Sequence, residues 1–309
     1  MKTFSSVPTP GSAVCSATTS RATTTRQDLQ RRLTTSPEQR QLERDGFCVF
    51  DDVLDDDLLQ RTRQVSERLL DALPAEHLEK QKSTGSMVSV TDDPFFAELV
   101  AAPDALRALQ ILGYDNPKWA SGFIISKPPH SPALFWHQDW WGWDEPISQT
   151  WAHPPQAFLM YYLVDTTPEN GCLRLVPGSH RKRHPMHDGV PDSHTTDLRE
   201  MADPEHPAYH TTEGEIDAPV KAGSVVIGDS RMLHASHANM SDHRRTVITL
   251  WYYPNWDELP ESVRAHIGAT TLPASWEGEA MATLGRLQPT YDGDVERTKW
   301  NRIPGPEFR

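Results

Sequence analysis

An α+β chain with a mainly β core is the fold class the sequence predicts, on two observations. Before Pro117 the apolar residues recur at helical spacing; after it come short runs rich in β-branched and aromatic residues, punctuated by Gly, Pro, Asn and Asp. Helices first and many short strands after read as helices supporting a sandwich or barrel. The chain has 309 residues, 37% of them apolar and 24% charged, ample for a core and ordinary for a globular protein.

Residues 1–27 hold 12 Ser or Thr and no acidic residue. A segment so poor in large apolar side chains cannot offset its ordering entropy, so a disordered tail over 1–33 is expected, followed by one folded domain over 34–309. Order should begin at Ser36-Pro37-Glu38, an N-cap followed by Pro at the first helical position, with Gly46 closing that short helix. Phe47–Phe50 is a buried-strand candidate. Asp55–Asp57 open an amphipathic helix whose stripe is Leu58, Leu59, Val65, Leu69 and Leu73, and two shorter helical patterns follow around Pro94–Ala101 and Asp104–Leu112. Strands are expected at Phe123–Ile125, Ala157–Val164, Leu173–Val176, Ser224–Ile227 and Thr246–Tyr253. The polar, His-rich stretch His180–Glu213 reads as a long functional loop over one end.

Charge narrows the function. Lys plus Arg number 30 and Asp plus Glu 43, a net charge of −13 that repels phosphate backbones and anionic lipid; neither nucleic acid nor membrane is expected as a partner. No apolar run is long enough to span a bilayer. The three cysteines, Cys15, Cys48 and Cys172, form no C-x-x-C pair, which argues against a disulfide framework or cysteine zinc site and fits a reducing, cytoplasmic setting. Against this background 14 His and 10 Trp stand out, and five tryptophans (Trp136, Trp140, Trp141, Trp143, Trp151) fall within 16 residues. Such bulk packs cores and also shapes pockets.

The chemistry centres on His137-Gln138-Asp139. On a strand, residues i and i+2 share a face roughly 6.6 Å apart, so an imidazole and a carboxylate can converge on one cation. A second histidine completes a two-His, one-carboxylate set that leaves about half an octahedron open, the arrangement of oxygen-using non-haem Fe(II). His234, where a strand from Gly223 should end, is a candidate; His237, three residues on, competes with it. After the turn-prone Asn239–Asp242, a hairpin would place Arg245 at the head of the next strand beside the pocket, its fork suited to a carboxylate. There is no dinucleotide fingerprint, Walker loop, H-E-x-x-H or G-x-S-x-G in the chain.

Taken together and in order, Asp45-Gly46-Phe47, His137-Gln138-Asp139, Glu169–Arg174, Pro177–Arg181, and His234-x-Ser236 with Arg245 resemble the phytanoyl-CoA dioxygenase-like family of Fe(II)/2-oxoglutarate oxygenases, over roughly Ser36 to Pro254. The resemblance implies a double-stranded β-helix (jelly-roll) fold with supporting helices. It implies Fe(II) bound by His137, Asp139 and His234, the last preferred to His237 for its spacing to Arg245. It also implies 2-oxoglutarate held at its far carboxylate by Arg245 and Ser236, with Lys127 and Met160 beside the cosubstrate. The reaction implied uses O2 and releases succinate and CO2 as a C–H bond of a small molecule is oxidised, by hydroxylation in the first instance. Asp139 favours oxygenation over halogenation, since halogenating relatives lack that carboxylate. Trp140, Trp141 and Trp143 follow the metal motif and suggest a flat, apolar or aromatic-faced substrate, with a cation over indole as an alternative. The competing readings are a jelly-roll metalloenzyme that does without 2-oxoglutarate and a non-catalytic binding relative.

Overall fold

Ten strands carry the architecture in the computed structural model, which describes residues 35–190, 194–268 and 272–309. The Ser/Thr-rich tail expected over 1–33 lies outside the described residues. The strands are β1 (Phe47–Phe50), β2 (Val88–Ser89), β3 (Lys118–Lys127), β4 (Leu134–His137) and β5 (Ala157–Tyr162). They continue with β6 (Leu173–Leu175), β7 (Ile216–Ala218), β8 (Val225–Asp229), β9 (His234–Ser236) and β10 (Arg245–Tyr253). They form a six-stranded sheet in the order β1-β8-β5-β10-β3-β2 and a four-stranded sheet in the order β4-β9-β6-β7. Every pairing between these ten strands is antiparallel. The molecule is therefore a mixed helix-and-sheet protein with two antiparallel sheets.

Period-two alternation explains how the sheets bury both faces. On β5, Phe158, Met160 and Tyr162 join Leu173, Leu175 and Val226 in a core between the sheets. Their neighbours Ala157, Leu159 and Tyr161 join Ile227, Ile248 and Leu250 on the opposite face, under the helices. Those helices are the ones the N-terminal patterning predicts. Ser36 accepts the Gln39 N–H at 2.9 Å and Gly46 (φ 90°) closes the helix Pro37–Asp45, a left-handed turn that glycine adopts without a Cβ clash. Asp55 caps Asp56–Asp71 by accepting from the Leu58 N–H at 2.8 Å. Leu42, Leu58, Leu59, Phe96 and Leu109 seat them in the core.

Three expectations need correction. His180–Glu213 is no structureless loop: it contains helices Pro185–Gly189 and Thr196–Glu200 and a 3₁₀ turn at Pro207–Tyr209. Caps from His184, Thr195 and His206, residues that also read as polar loop, start each of them. His234 does not end a strand; β8 stops at Asp229 and His234 opens β9 in the other sheet. Arg245 consequently arrives by a crossover between sheets, since β9 and β10 belong to different ones. From β3 onward the chain repeatedly switches sheet, which brings the ends of β4, β9 and β10 to one cavity.

Candidate active site

His137 and His234 face each other across the β4–β9 pair, directly opposite in register, with ring centroids 4.0 Å apart. Cross-strand partners on one face are the nearest side chains a sheet can offer. Each ring is pinned through Nδ1, His137 to the Phe135 carbonyl at 2.9 Å and His234 to the Met232 carbonyl at 3.1 Å. That fixes the tautomer and leaves Nε2 aimed inward, the outer-shell arrangement of metal-binding imidazoles. Asp139 lies two residues beyond the end of β4, so no strand places it. The Ser230 carbonyl accepts from the N–H groups of both Asp139 and Trp140 at 2.8 Å, and this folds the carboxylate back onto the rings. Asp139 Oδ1 is 3.8 Å from His137 Nε2, and Oδ2 is 3.6 Å from His234 Nε2. The Trp251 indole N–H donates to Oδ2 at 2.9 Å and sets the carboxylate's rotation.

The electrostatics suit a cation. Burial, reinforced by His234 and His194, pushes His137 well below the ordinary imidazole range, so the ring is a neutral donor. Burial acts to raise Asp139, but His234, His194 and His137 outweigh it and hold the carboxyl far below its usual range. An ionised carboxylate and a neutral imidazole are the protonation states a metal requires.

Deeper in the same cavity, Arg245 begins β10 and donates from Nη2 to Ser236 Oγ at 3.3 Å. Its Nε is buried with no hydrogen-bond partner. A desolvated guanidinium N–H left unmet calls for an anion, and a fork calls for a carboxylate. Met160 and Tyr162 line this cavity as well.

Other expected residues are placed differently. The Lys127 ammonium is turned away, donating to the Ser83 carbonyl at 2.9 Å and to that of Pro132, and it does not line the cavity. It supports the loop behind Arg245, because a fully buried ammonium needs such acceptors. Trp140 and Trp143 are core residues, packed with Trp256, Val263 and Phe308; of the three tryptophans only Trp141 borders an open cavity. His237 bonds Asp217 at 2.6 Å and groups with Cys172, apart from the His137 cluster. His194, read from sequence as a solvated loop residue, sits in the site instead: its Nε2 is 3.7 Å from Asp139 Oδ1 and its ring 4.7 Å from that of His137. Among the described residues, ligand atoms of His137, Asp139 and His194 lie within 4.8 Å of one another, as do those of Cys172, Asp217 and His237; His234 belongs to neither group. We favour His234 over His194 as the third donor because His234 carries the pinned Nδ1 and stands directly opposite His137 across the β4–β9 pair. His194 has φ +81°, a left-handed conformation unusual for a residue with a Cβ, and the sequence carries no signal for it.

Fold and site together define a class, the non-haem iron oxygenases that use 2-oxoglutarate as cosubstrate. Within it, the family model described as phytanoyl-CoA dioxygenase (PhyH) matches residues 42–247, and the chain belongs to that family. An ectoine dioxygenase of Nocardia farcinica is 25% identical over 227 residues, 67% of this chain and 74% of that protein. The ectoine dioxygenase of Halomonas elongata is 33% identical over 147 residues, 45% of this chain and 43% of that one. Among solved structures, EctD from S. alaskensis with 2-oxoglutarate and 5-hydroxyectoine superposes with a TM-score of 0.52 at 21% identity, covering 74% of this chain and 79% of EctD. The epimerase SnoN, in complex with Fe3+, α-ketoglutarate and a nogalamycin compound, gives 0.52 at 18% identity over 86% and 96%. These two likenesses establish the fold. No helix among the described residues is long and apolar enough to cross a membrane.

Proposed function

We propose that His137, Asp139 and His234 hold Fe(II) and that Arg245, helped by Ser236, anchors the far carboxylate of 2-oxoglutarate. The fold is then the double-stranded β-helix (jelly-roll) of this class, a single domain over 34–309 behind a tail at 1–33. The single observation that carries the reading is the buried, unpartnered Nε of Arg245 in the same cavity as the two-His, one-carboxylate set. A metal jelly-roll without 2-oxoglutarate has no use for that cation.

Bound Fe(II) and 2-oxoglutarate supply the activation of O2, in which one oxygen atom enters a substrate C–H bond to give an alcohol and the other enters succinate as CO2 is lost. The chain's own residues do the rest. The Phe135 and Met232 carbonyls keep the two imidazoles in their metal-binding tautomer, and Trp251 holds Asp139 in place. Arg245 sets the depth of the cosubstrate. The apolar walls, Ile125, Leu173 and Val247 among them, keep water from the oxidant. The substrate is a small, largely apolar or aromatic-faced molecule, bounded by Trp141 and Trp251. The expected setting is cytoplasmic, with neither nucleic acid nor membrane as partner. The relatives named ectoine dioxygenase agree with small-molecule chemistry.

Anaerobic titration with Fe(II) and 2-oxoglutarate tests this reading. The weak visible charge-transfer band of the chelate should appear in the native protein and in His237→Ala, and disappear in His234→Ala. Loss of the band in His237→Ala alone would show the ligand assignment to be wrong, and no band in the native protein would remove 2-oxoglutarate from the account.

A further inference from the structure

We propose that Cys172, Asp217 and His237 form a second metal site, one for a thiophilic divalent cation such as zinc, on the face of the four-stranded sheet turned away from the inner cavity. Ligand atoms of the three side chains lie within 4.8 Å of one another, a separation that one cation can span. The site shares no donor with the inner centre and is independent of what that centre binds.

Strand register brings the three together. β6 lies between β9 and β7, with Leu173 opposite Ser236 on one side and opposite Ala218 on the other. Leu173 and Ser236 line the inner cavity. Side chains alternate along a strand, so the residues one step away, Cys172, His237 and Asp217, take the opposite face. The His237 N–H donates to the Cys172 carbonyl at 3.1 Å, which prolongs the β6–β9 ladder and sets imidazole beside thiol. Asp217 belongs to the edge strand β7, and His237 Nε2 meets its Oδ1 at 2.6 Å.

The donors and their surroundings favour a soft cation. Thiolate, imidazole and carboxylate together suit zinc and its neighbours better than magnesium or calcium, and three protein donors leave a fourth tetrahedral position to water. Burial and then Asp217 push the Cys172 thiol up to about 11, with Glu169 adding to the shift and Arg245 opposing it. A divalent cation reverses that balance, since it brings two positive charges to a thiolate and a carboxylate and deprotonates the thiol it binds. Cys172 is buried, whereas the side chains of His237 and Asp217 keep 27% and 42% of their exposure, which gives the ion a way in. A site with one cysteine, drawn from three strand ends, needs no C-x-x-C pair. Once filled, it ties the edge strand β7 to β9, the strand that carries His234 and Ser236.

Co(II) is the probe, because it takes zinc's tetrahedral sites and a thiolate bound to it gives an intense near-ultraviolet charge-transfer band. The inner centre offers only nitrogen and oxygen donors and gives no such band. Metal-free protein titrated anaerobically with Co(II) should gain the band, saturating at one thiolate-bound cobalt per chain, and added Zn(II) should remove it. Cys172→Ser should lose the band outright, which excludes Cys15 and Cys48 as its source. His237→Ala and Asp217→Asn should each weaken cobalt binding at least about tenfold, and His237→Cys, one donor for another, should intensify the band. Far-ultraviolet circular dichroism matching that of the native protein shows that each variant is folded. No band in the native protein by about 100 µM Co(II), a band that survives Cys172→Ser, or undiminished affinity in His237→Ala or Asp217→Asn would each overturn the proposal.

Discussion

Arg245 shows how much one side chain can decide. It is only 4% exposed, and its neighbour Arg244 reaches out to Asp71 at 2.9 Å on the surface. Successive strand residues point to opposite faces, so two adjacent arginines have unrelated roles. Removing one member of a buried charge pair costs about 3–5 kcal/mol, or two to three powers of ten in affinity. Arg245→Ala is therefore expected to raise the 2-oxoglutarate requirement by that order and leave Fe(II) binding nearly intact, whereas Arg244→Ala should do little. Initial rates of succinate formation against 2-oxoglutarate concentration check this; equal effects in the two variants would mean that the fork does not hold the cosubstrate. Arg245 was legible because it follows a turn and heads an apolar run. Trp251 was not: an indole on a strand reads as core, and only its 2.9 Å bond to Asp139 reveals its part in the site.

Elements place what residues supply. Asp139 reads from the H-x-D spacing as a strand residue, yet it reaches the rings because Ser230, in the turn after β8, captures its backbone N–H. Arg231 makes that turn rigid: paired with Asp229 at 2.6 Å, it donates to the carbonyls of Ser148, Trp151 and His153. The tryptophan stretch is thereby sewn to the metal end of the sheets. From the other side His194 leans over Asp139 at the start of the segment carrying the helix Thr196–Glu200. Hydrogen exchange on either side of the cavity should accordingly slow when Fe(II) and 2-oxoglutarate bind, in 194–213 and in 139–151 together. Unchanged exchange in both segments would show that they do not cover the site. Sequence reasoning located this segment by its histidines and missed its helices, because residues that cap short helices are the same ones that populate loops.

At the scale of the whole molecule, buried histidines tie stability to pH. Burial lowers His187 from 6.5 to about 4, and it also lowers His180. His187 Nδ1 accepts the His184 N–H at 2.9 Å, a bond that a proton on that nitrogen would abolish. The unfolded chain takes up this proton near 6.5 and the folded one only near 4, so the folded state binds fewer protons in between. The stabilisation is complete above 6.5 and is lost as pH falls toward 4, at most about 3 kcal/mol for His187 alone. Urea denaturation of the metal-free protein between pH 7 and 4 should show this decline. His187→Asn, which keeps an acceptor but cannot titrate, should flatten it; an unaltered slope would place the pH dependence elsewhere.

The sequence by itself determined the early helices and the main strands, the caps at Ser36 and Asp55, the alternation that gives β5 two buried faces, and the residue types proposed as metal and anion donors. These are local properties, written in periods of 3.6 and 2 and in residue types at short spacing. Tertiary structure alone decided which histidine faces which: His234 sits opposite His137 because β9 pairs with β4, while His237 is drawn to Asp217. It also decided that Trp140 and Trp143 are core and Trp141 is wall, and that Lys127 serves carbonyls rather than a cosubstrate. Arg199 and Arg302 stand 103 positions apart in the chain and line one cavity. The physical reason is common to all four: contacts between distant residues depend on how strands pair and cross between sheets, and a residue's own neighbours in sequence carry no record of that pairing.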